Sequence, residues 1–473
     1  MIGRILVARA VAAGMALAIL VPGVALGHTL NAAYTSRLPL AVYLAGAAMT
    51  VALSFAFVIL RDVRVEVPEV HDPGGLPPAW LRFGLRALGL FGWIWIMAQG
   101  IAGGSSSANV ATLFLWVYGW VGVALVSALL FPIWHWLDPF STLYDIGAWI
   151  VQRLGIAPWE PSDYPDRLGQ WPAVIGFAFF VWLELGLDQG EPSTLFIVLA
   201  GYTALTLAMM AQFGRDAWRA NAETFTVWFR LLNRLAPLAL GDEDGRVRRR
   251  SFAAGLLEVN WTVAQVTMVA LGVGSILFDG LSQTQIYYDL FGFTEVPLKT
   301  VLLFAFLGIV VTAALLLVRM LGANPSGAGL LPIAVGYLIA HYLTYLLISG
   351  QLILVALSDP LQRGWNIFGT LFYEPSGTWL PPGLVWTFQL AAVVGGHMVG
   401  AWAGHAAAVA ATPAGTPIRT VRLRQLPLAI VMVALTTLTL WSLGQDLVIT
   451  PEQQQEQETA AADAPIPATY QPR

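Results

Sequence analysis

Residues 330–357 read LLPIAVGYLIAHYLTYLLISGQLILVAL, and residues 383–411 read GLVWTFQLAAVVGGHMVGAWAGHAAAVAA. Each run is at least as long as a bilayer-crossing helix, which needs about 20 mainly apolar residues. Each also carries histidine at depth. His341 lies about 17 Å from the start of the first run, and His405 follows the central His397 of the second by about 12 Å, at the helical rise per residue. An ionisable side chain in hydrocarbon is costly, so it faces the protein interior or a cavity and marks a candidate site. This pair of runs sets the fold class expected here: an all-α polytopic membrane protein, a bundle of about ten transmembrane helices after an N-terminal signal segment.

Composition agrees. Of 473 residues, 57% are hydrophobic and 11% charged, against roughly 25% charged in a soluble domain. The net charge of −4 is uninformative without its distribution. With no cysteine, the chain has no disulfide and no thiolate nucleophile or ligand. A metal would have to be held by His, Asp, Glu, Met or backbone groups.

Outward from the central runs, residues 1–27 resemble a secretory signal: Arg4 and Arg9, an apolar stretch from Val11 to Val21, then Ala25-Leu26-Gly27 as a cleavage site. Cleavage there makes His28 the mature N-terminus; an uncleaved first helix is the alternative. Ten spans are predicted near 38–60, 84–102, 108–132, 170–188, 193–212, 256–278, 298–320, 330–356, 383–410 and 426–445. If the segment after the first span is cytoplasmic, eighteen Arg fall on that side, against four basic residues opposite and two in the signal. That positive-inside bias predicts an inner-membrane protein with both mature termini outside. Residues 139–155 and 215–235 alternate as interfacial helices, with Trp149, Trp218 and Trp228 expected at headgroup level. GDEDGRVRRRS at 241–251 reads as a solvated loop whose arginines meet anionic lipid; no companion basic or aromatic surface supports nucleic-acid binding. The acidic, Pro/Ala-rich residues 451–473 are expected to be disordered.

Within the eighth span Tyr337, His341 and Tyr345 share a face. In the ninth, Ala392, Gly396, Gly400, Gly404 and Ala408 form a ridge of small residues that lets another helix approach closely. On this reading Gly400→Leu harms folding more than Gly329→Leu. His341 and His397 fall at similar depth, which reads either as a paired imidazole site for metal or protons or as two interhelical hydrogen bonds. Glu184 lies inside the fourth span near its outer end and needs a partner or a proton. Asp279 closes the sixth span and either joins this site or starts a turn with Gly280; Asp359-Pro360 reads as a turn. As a mature terminus, His28 offers an α-amine and an imidazole nitrogen to a divalent metal, copper or zinc; a simply solvated His28 is the alternative. The metal candidates are thus His28, His341, His397 and His405, and the catalytic candidates Glu184 and Asp279. His71 and His135 fall on the cytoplasmic side without an assigned role.

Several short motifs resemble a group of bacterial integral membrane proteins identified as fenitrothion hydrolases. They are GHTLNAAYTSRLPL at 27–40, LDPFSTL at 137–143, YPDRLGQWPAVIG at 164–176, FDGLSQT at 278–284, HYL with GQ and SDP across 341–360, and GH…GH at 396–405. The family often carries Arg where this chain has Ser141, so no arginine role transfers to that position. The resemblance implies organophosphate triester hydrolysis, which at a membrane site calls for a metal-bound or base-activated water. Two further readings use the same residues: a metal-handling membrane protein, and a proton-coupled transporter relaying through His341, His397 and Glu184. The absence of a recognisable internal repeat weighs against an inverted-repeat transporter. In each reading the ligand, a small molecule or a metal, enters from the outer face.

Overall fold

The structure, a computed structural model, describes residues 74–443 apart from breaks at 103, 105–107, 157–159, 188–190, 242–244, 259, 293, 414–415, 418–419 and 421–422, with a few positions between 45 and 53. The proposed signal, His28, His71, most of the first predicted span and the acidic tail lie outside the described residues.

Nine of the predicted spans correspond to helices. They are α1 (Ala79–Ala102), α2 (Val110–Leu129), α4 (Trp171–Leu185), α5 (Pro192–Phe213), α8 (Val263–Ser282), α10 (Val296–Leu321), α11 (Ala323–Ser349), α13 (Pro382–Ala410) and α14 (Leu426–Leu443). Among the described residues, seven helices are long and apolar enough to cross a membrane; α4 and α14 are shorter apolar helices. This is the helical architecture of an integral membrane protein. Between the spans lie α3 (Pro139–Arg153), α6 (Arg215–Asn221), α7 (Thr224–Leu232), α9 (Gln285–Phe291) and α12 (Ile353–Ser358). Helix starts follow local chemistry: Thr262 and Gln265 form a reciprocal capping box on α8, and Asp138 caps α3 through the amides of Phe140 and Ser141.

The most extensive helix–helix contact is that of α11 with α13. A Cβ added at Gly396 would lie 2.6 Å from the Pro332 carbonyl oxygen, one at Gly400 2.4 Å from that of Gly329, and one at Gly336 2.6 Å from that of Ala392. The small-residue ridge read from the sequence is this contact. Gly329 turns its own Cβ position toward α14, where a Cβ would meet flexible side-chain ends, the Met432 methyl at 2.9 Å and Leu428 at 3.3 Å, whereas one at Gly400 meets backbone, in keeping with the greater harm expected at Gly400. A tolerant position on α13 is Gly395, with open space where a Cβ would go.

Two expectations are corrected. Residues 215–235 break into α6 and α7, and Trp228 is 1% exposed rather than at the headgroups. It stacks on Trp120 with ring centroids 5.9 Å apart and meets Phe177 at 4.6 Å, within an aromatic layer that Phe180 continues toward Phe225. Trp149, by contrast, is exposed as expected. The arginine segment is not wholly solvated: Leu238–Leu240 (β1) pairs antiparallel with Val247–Arg249 (β2), and the side chain of Arg250 is 7% exposed, donating to Glu258 and to the Ala236 carbonyl.

Charged groups at this end of the bundle hold the connections together. Asp145 pairs with both Arg86 and Arg215, and the buried Asp138 pairs with Arg219 at 3.2 Å while accepting from the Ser141 hydroxyl. Glu223 caps α7 and accepts from Tyr202 and Thr226. His135 lies in the same field, and burial together with Arg219, Arg230 and Arg215 pushes its imidazole down to about 4.

Two outcomes follow. Gly400→Ala should lose about 1–3 kcal/mol of stability through overpacking, whereas Gly395→Ala should fold like the wild type; equal thermal stability of the two variants in detergent would contradict the helix contact. In the unfolded chain His135 titrates near 6.5, so between that pH and about 4 the unfolded state binds a proton that the folded state refuses. Its contribution is therefore complete above pH 6.5 and lost as pH falls toward 4. His135→Gln should flatten the melting profile across that window, and a profile parallel to the wild type would show that His135 does not cause the loss.

Candidate functional site

Three helices place two acids, a tyrosine and a histidine together at the bundle end opposite the arginine network. The last turn of α4 supplies Glu184, the last turn of α8 supplies Asp279, and α11 supplies His341 and Tyr342. His341 Nε2 lies 2.9 Å from Asp279 Oδ2. The Tyr342 hydroxyl lies 2.8 Å from the same oxygen and 3.4 Å from Glu184 Oε1. Gln283, one turn beyond Asp279, donates to its other oxygen at 2.7 Å. Asp279 thus sits inside a helix as the centre of this cluster, and it does not serve merely as the start of a turn.

Solvation differs across the cluster. The side chains of His341 and Asp279 are 18% and 14% exposed, whereas Glu184 is buried and its Oε2 has no hydrogen-bond partner among the described residues. A buried carboxylate oxygen with no donor is costly unless a proton or a water satisfies it. Tyr342 has one hydroxyl proton, so it donates to one carboxylate at a time. Its 2.8 Å contact favours Asp279, which leaves the contact to Glu184 to be completed by a proton carried on Glu184.

On the other side of His341, a cavity of about 10 Å³ is lined by Ile276, Leu277, Tyr337, Ala340, Thr439 and Ser442 together with His341 itself. That is about the room required by the centre of one water. Tyr337 lines this space, and its hydroxyl lies 3.5 Å from His397 Nε2, at the long limit of a hydrogen bond. His397 is fully buried and its Nδ1 lies 2.8 Å from the Val393 carbonyl of its own helix. The two imidazoles expected as a pair are therefore engaged separately, His341 with Asp279 and His397 with Tyr337 and Val393. His405 is further along α13, its Nδ1 2.7 Å from Gln425 Oε1.

Among the described residues no group of three His, Asp or Glu side chains converges as a metal site. His341 and Asp279 offer two donors, with Glu184 separated from them by Tyr342. The residues present therefore do not by themselves make the four-ligand shell of a structural zinc site. Asp359 takes the local role expected of it, accepting from the amides of Arg363 and Gly364.

The residue that sequence reasoning missed is Tyr342. It sits one position round from the Tyr337–His341–Tyr345 face, so helical periodicity assigned it elsewhere. The signal that pointed toward it was Glu184, whose depth demanded a polar partner on a neighbouring helix. No protein-family model matches the chain, and no curated protein or solved structure gives a significant match.

Proposed function

We propose that this is an integral protein of the bacterial inner membrane that binds and relays protons through Glu184, Tyr342, Asp279 and His341, the site of a proton-coupled carrier. The observation that carries this reading is the Tyr342 hydroxyl between two carboxylates, one of which is paired with a histidine. A proton on Glu184 passes to the Tyr342 oxygen as Tyr342 gives its own proton to Asp279 Oδ2. Glu184 is left ionised, Tyr342 is unchanged, and the proton is shared between Asp279 and His341. Intramembrane chains of Asp, Glu and His are the usual material of such relays. The arginine count read from the sequence puts this end of the bundle outside, so the partly exposed Asp279–His341 pair exchanges protons with the outer face and Glu184 holds one in the interior.

The relay predicts a charge movement that needs no identified solute. Proteoliposomes adsorbed on a solid support and given a pH jump should show a transient current, reduced at least tenfold in Asp279→Asn. A wild-type current no larger than that of protein-free liposomes would overturn the reading.

A second reading, hydrolysis of an organophosphate triester, draws on the His341–Asp279 pair: a carboxylate orients an imidazole that is partly exposed. In that chemistry the imidazole takes a proton from the attacking water, a contribution typically of about 10²–10⁴-fold. A divalent copper or zinc ion, if used, would bind His341 and Asp279 with a further ligand such as His28 and would polarise the phosphoryl oxygen. Purified protein should then release nitrophenolate from an aryl dialkyl phosphotriester, with the rate falling about 100-fold in His341→Asn. An unchanged rate in that variant would exclude this role for the pair.

A further inference from the structure

The helix bundle is open on one lateral side. Between α8, α10 and α14 lies a cavity of about 230 Å³, far larger than the water-sized space beside His341. Ala270, Val273 and Leu277 of α8 form its floor with Leu330 of α11. Ile309 and Ala313 of α10 stand on one wall, Ala434 and Leu435 of α14 on the other. Every lining side chain is a hydrocarbon.

Small residues create this space. Ala270, Ala314 and Ala434 each lie seven or eight residues from the end of their helix that is remote from the Asp279 site, about 10–12 Å at the helical rise. The three therefore fall at similar depth, and α10 and α14 meet only sparsely. The lining runs from Ala270 to Leu277 on α8 and from Phe306 to Ala314 on α10, so the crevice extends about 10–12 Å along the helices. That is the direction in which the chains of the surrounding lipid run.

Its chemistry and depth select the occupant. Water finds no polar partner there, and an apolar cavity of about 150 Å³ stays dry and takes up benzene or xenon instead. A helix with its side chains is about 10–12 Å across, too wide to enter a space of this volume. Left empty, the lining atoms would lose dispersion contacts on one side. The medium at this depth is hydrocarbon, and the mouth faces it: Ile309 is 69% exposed, and Ala434 across from it is exposed. The floor is sheltered, with Ala270 and Val273 1% exposed and Leu330 3%.

We propose that this crevice is a binding site for one acyl chain of a bilayer phospholipid, which enters sideways between α10 and α14. The site does not depend on the relay reading, but it adjoins the relay residues. Leu277 lines both the crevice and the water-sized cavity at His341. The seated chain thus backs a side chain that separates hydrocarbon from that cavity.

The test uses the full chain in liposomes of a phosphatidylcholine that carries a photoactivatable diazirine on one acyl chain. After irradiation, mass spectrometry of the digested protein maps the label. A seated chain should mark the sheltered floor at Ala270, Val273 and Leu330, as well as outward positions of α10 such as Leu316 and Met320, which are 50% and 60% exposed. In Ala434→Phe a ring fills the mouth, so an entering chain meets the cost of overpacking and floor labelling should fall about tenfold or more. Labelling of Leu316 and Met320 should stay at the wild-type level. Ala313→Phe, from the opposite wall, supplies a second plug, and the wild-type chain alone decides whether the floor is reached. Label confined to the outward positions in the wild type overturns the site, because bulk lipid contact then accounts for it. Wild-type floor labelling in both plugged variants overturns entry between α10 and α14. Floor labelling by a diazirine fatty acid, with none from the phosphatidylcholine, overturns the phospholipid as the occupant.

Discussion

The structure depends on two backbones in contact. Between α11 and α13 the carbonyl oxygens of Gly329, Pro332 and Ala392 occupy the places where Cβ atoms of the facing helix would be. In lipid no hydrophobic gain drives two apolar helices together, because hydrocarbon surrounds them whether apart or joined, so van der Waals contact at close range must do it. Glycine at these positions is therefore a requirement of the assembly. The same contact sets what the two helices can share. It brings Tyr337 of α11 to His397 of α13, and it leaves His341, one turn beyond Tyr337, free to meet Asp279 from the other side.

None of the polar groups at the candidate site would be tolerable alone. A single aspartate or histidine within an apolar span is a liability of several kcal/mol in lipid. Together they satisfy one another: Asp279 takes donors from Tyr342 and Gln283 and pairs with His341. Glu184 is the exception, with one oxygen left over. Three helices are needed to assemble this set, so the site exists only in the packed bundle, and its geometry is coupled directly to how α4, α8 and α11 sit against each other.

Much of this was legible in the amino-acid sequence because lipid imposes length and polarity rules that act locally. The spans follow from apolar runs, and the α13 ridge follows from small residues repeating every fourth position. Glu184, Asp279 and His341 could each be singled out by depth. Their union could not be read, because nothing in the order of residues states which helices become neighbours, and Glu184 and Asp279 belong to spans separated by another. Tyr342 was hidden by the periodicity argument that found His341. Trp228 was misplaced for a related reason. The 215–235 segment has the alternation of an interfacial helix, but α7 turns its aromatic face toward α2 and α4, so the same pattern serves burial against protein. The contact of Gly329 with Leu428 and Met432 could not be read, because a glycine's partner on another helix leaves no trace in its own neighbourhood.

The aromatic layer formed by Trp120, Trp228, Phe177, Phe180 and Phe225 gives the bundle an internal partition. On one side lies the Glu184–Tyr342–Asp279 cluster, which Tyr342 joins to the layer through an edge contact with Trp120 at 6.4 Å. On the other lies Glu223, bonded to Tyr202, whose ring meets Phe225. Rings packed at interior density leave no file of water between these two acidic centres, and an ion crossing there would have to part indole and phenyl groups. The α2–α4–α7 side of the molecule therefore behaves as a watertight bulkhead. Its two faces can therefore hold different charge states at the same time, with packed rings and no shared water between the Glu184 and Glu223 clusters.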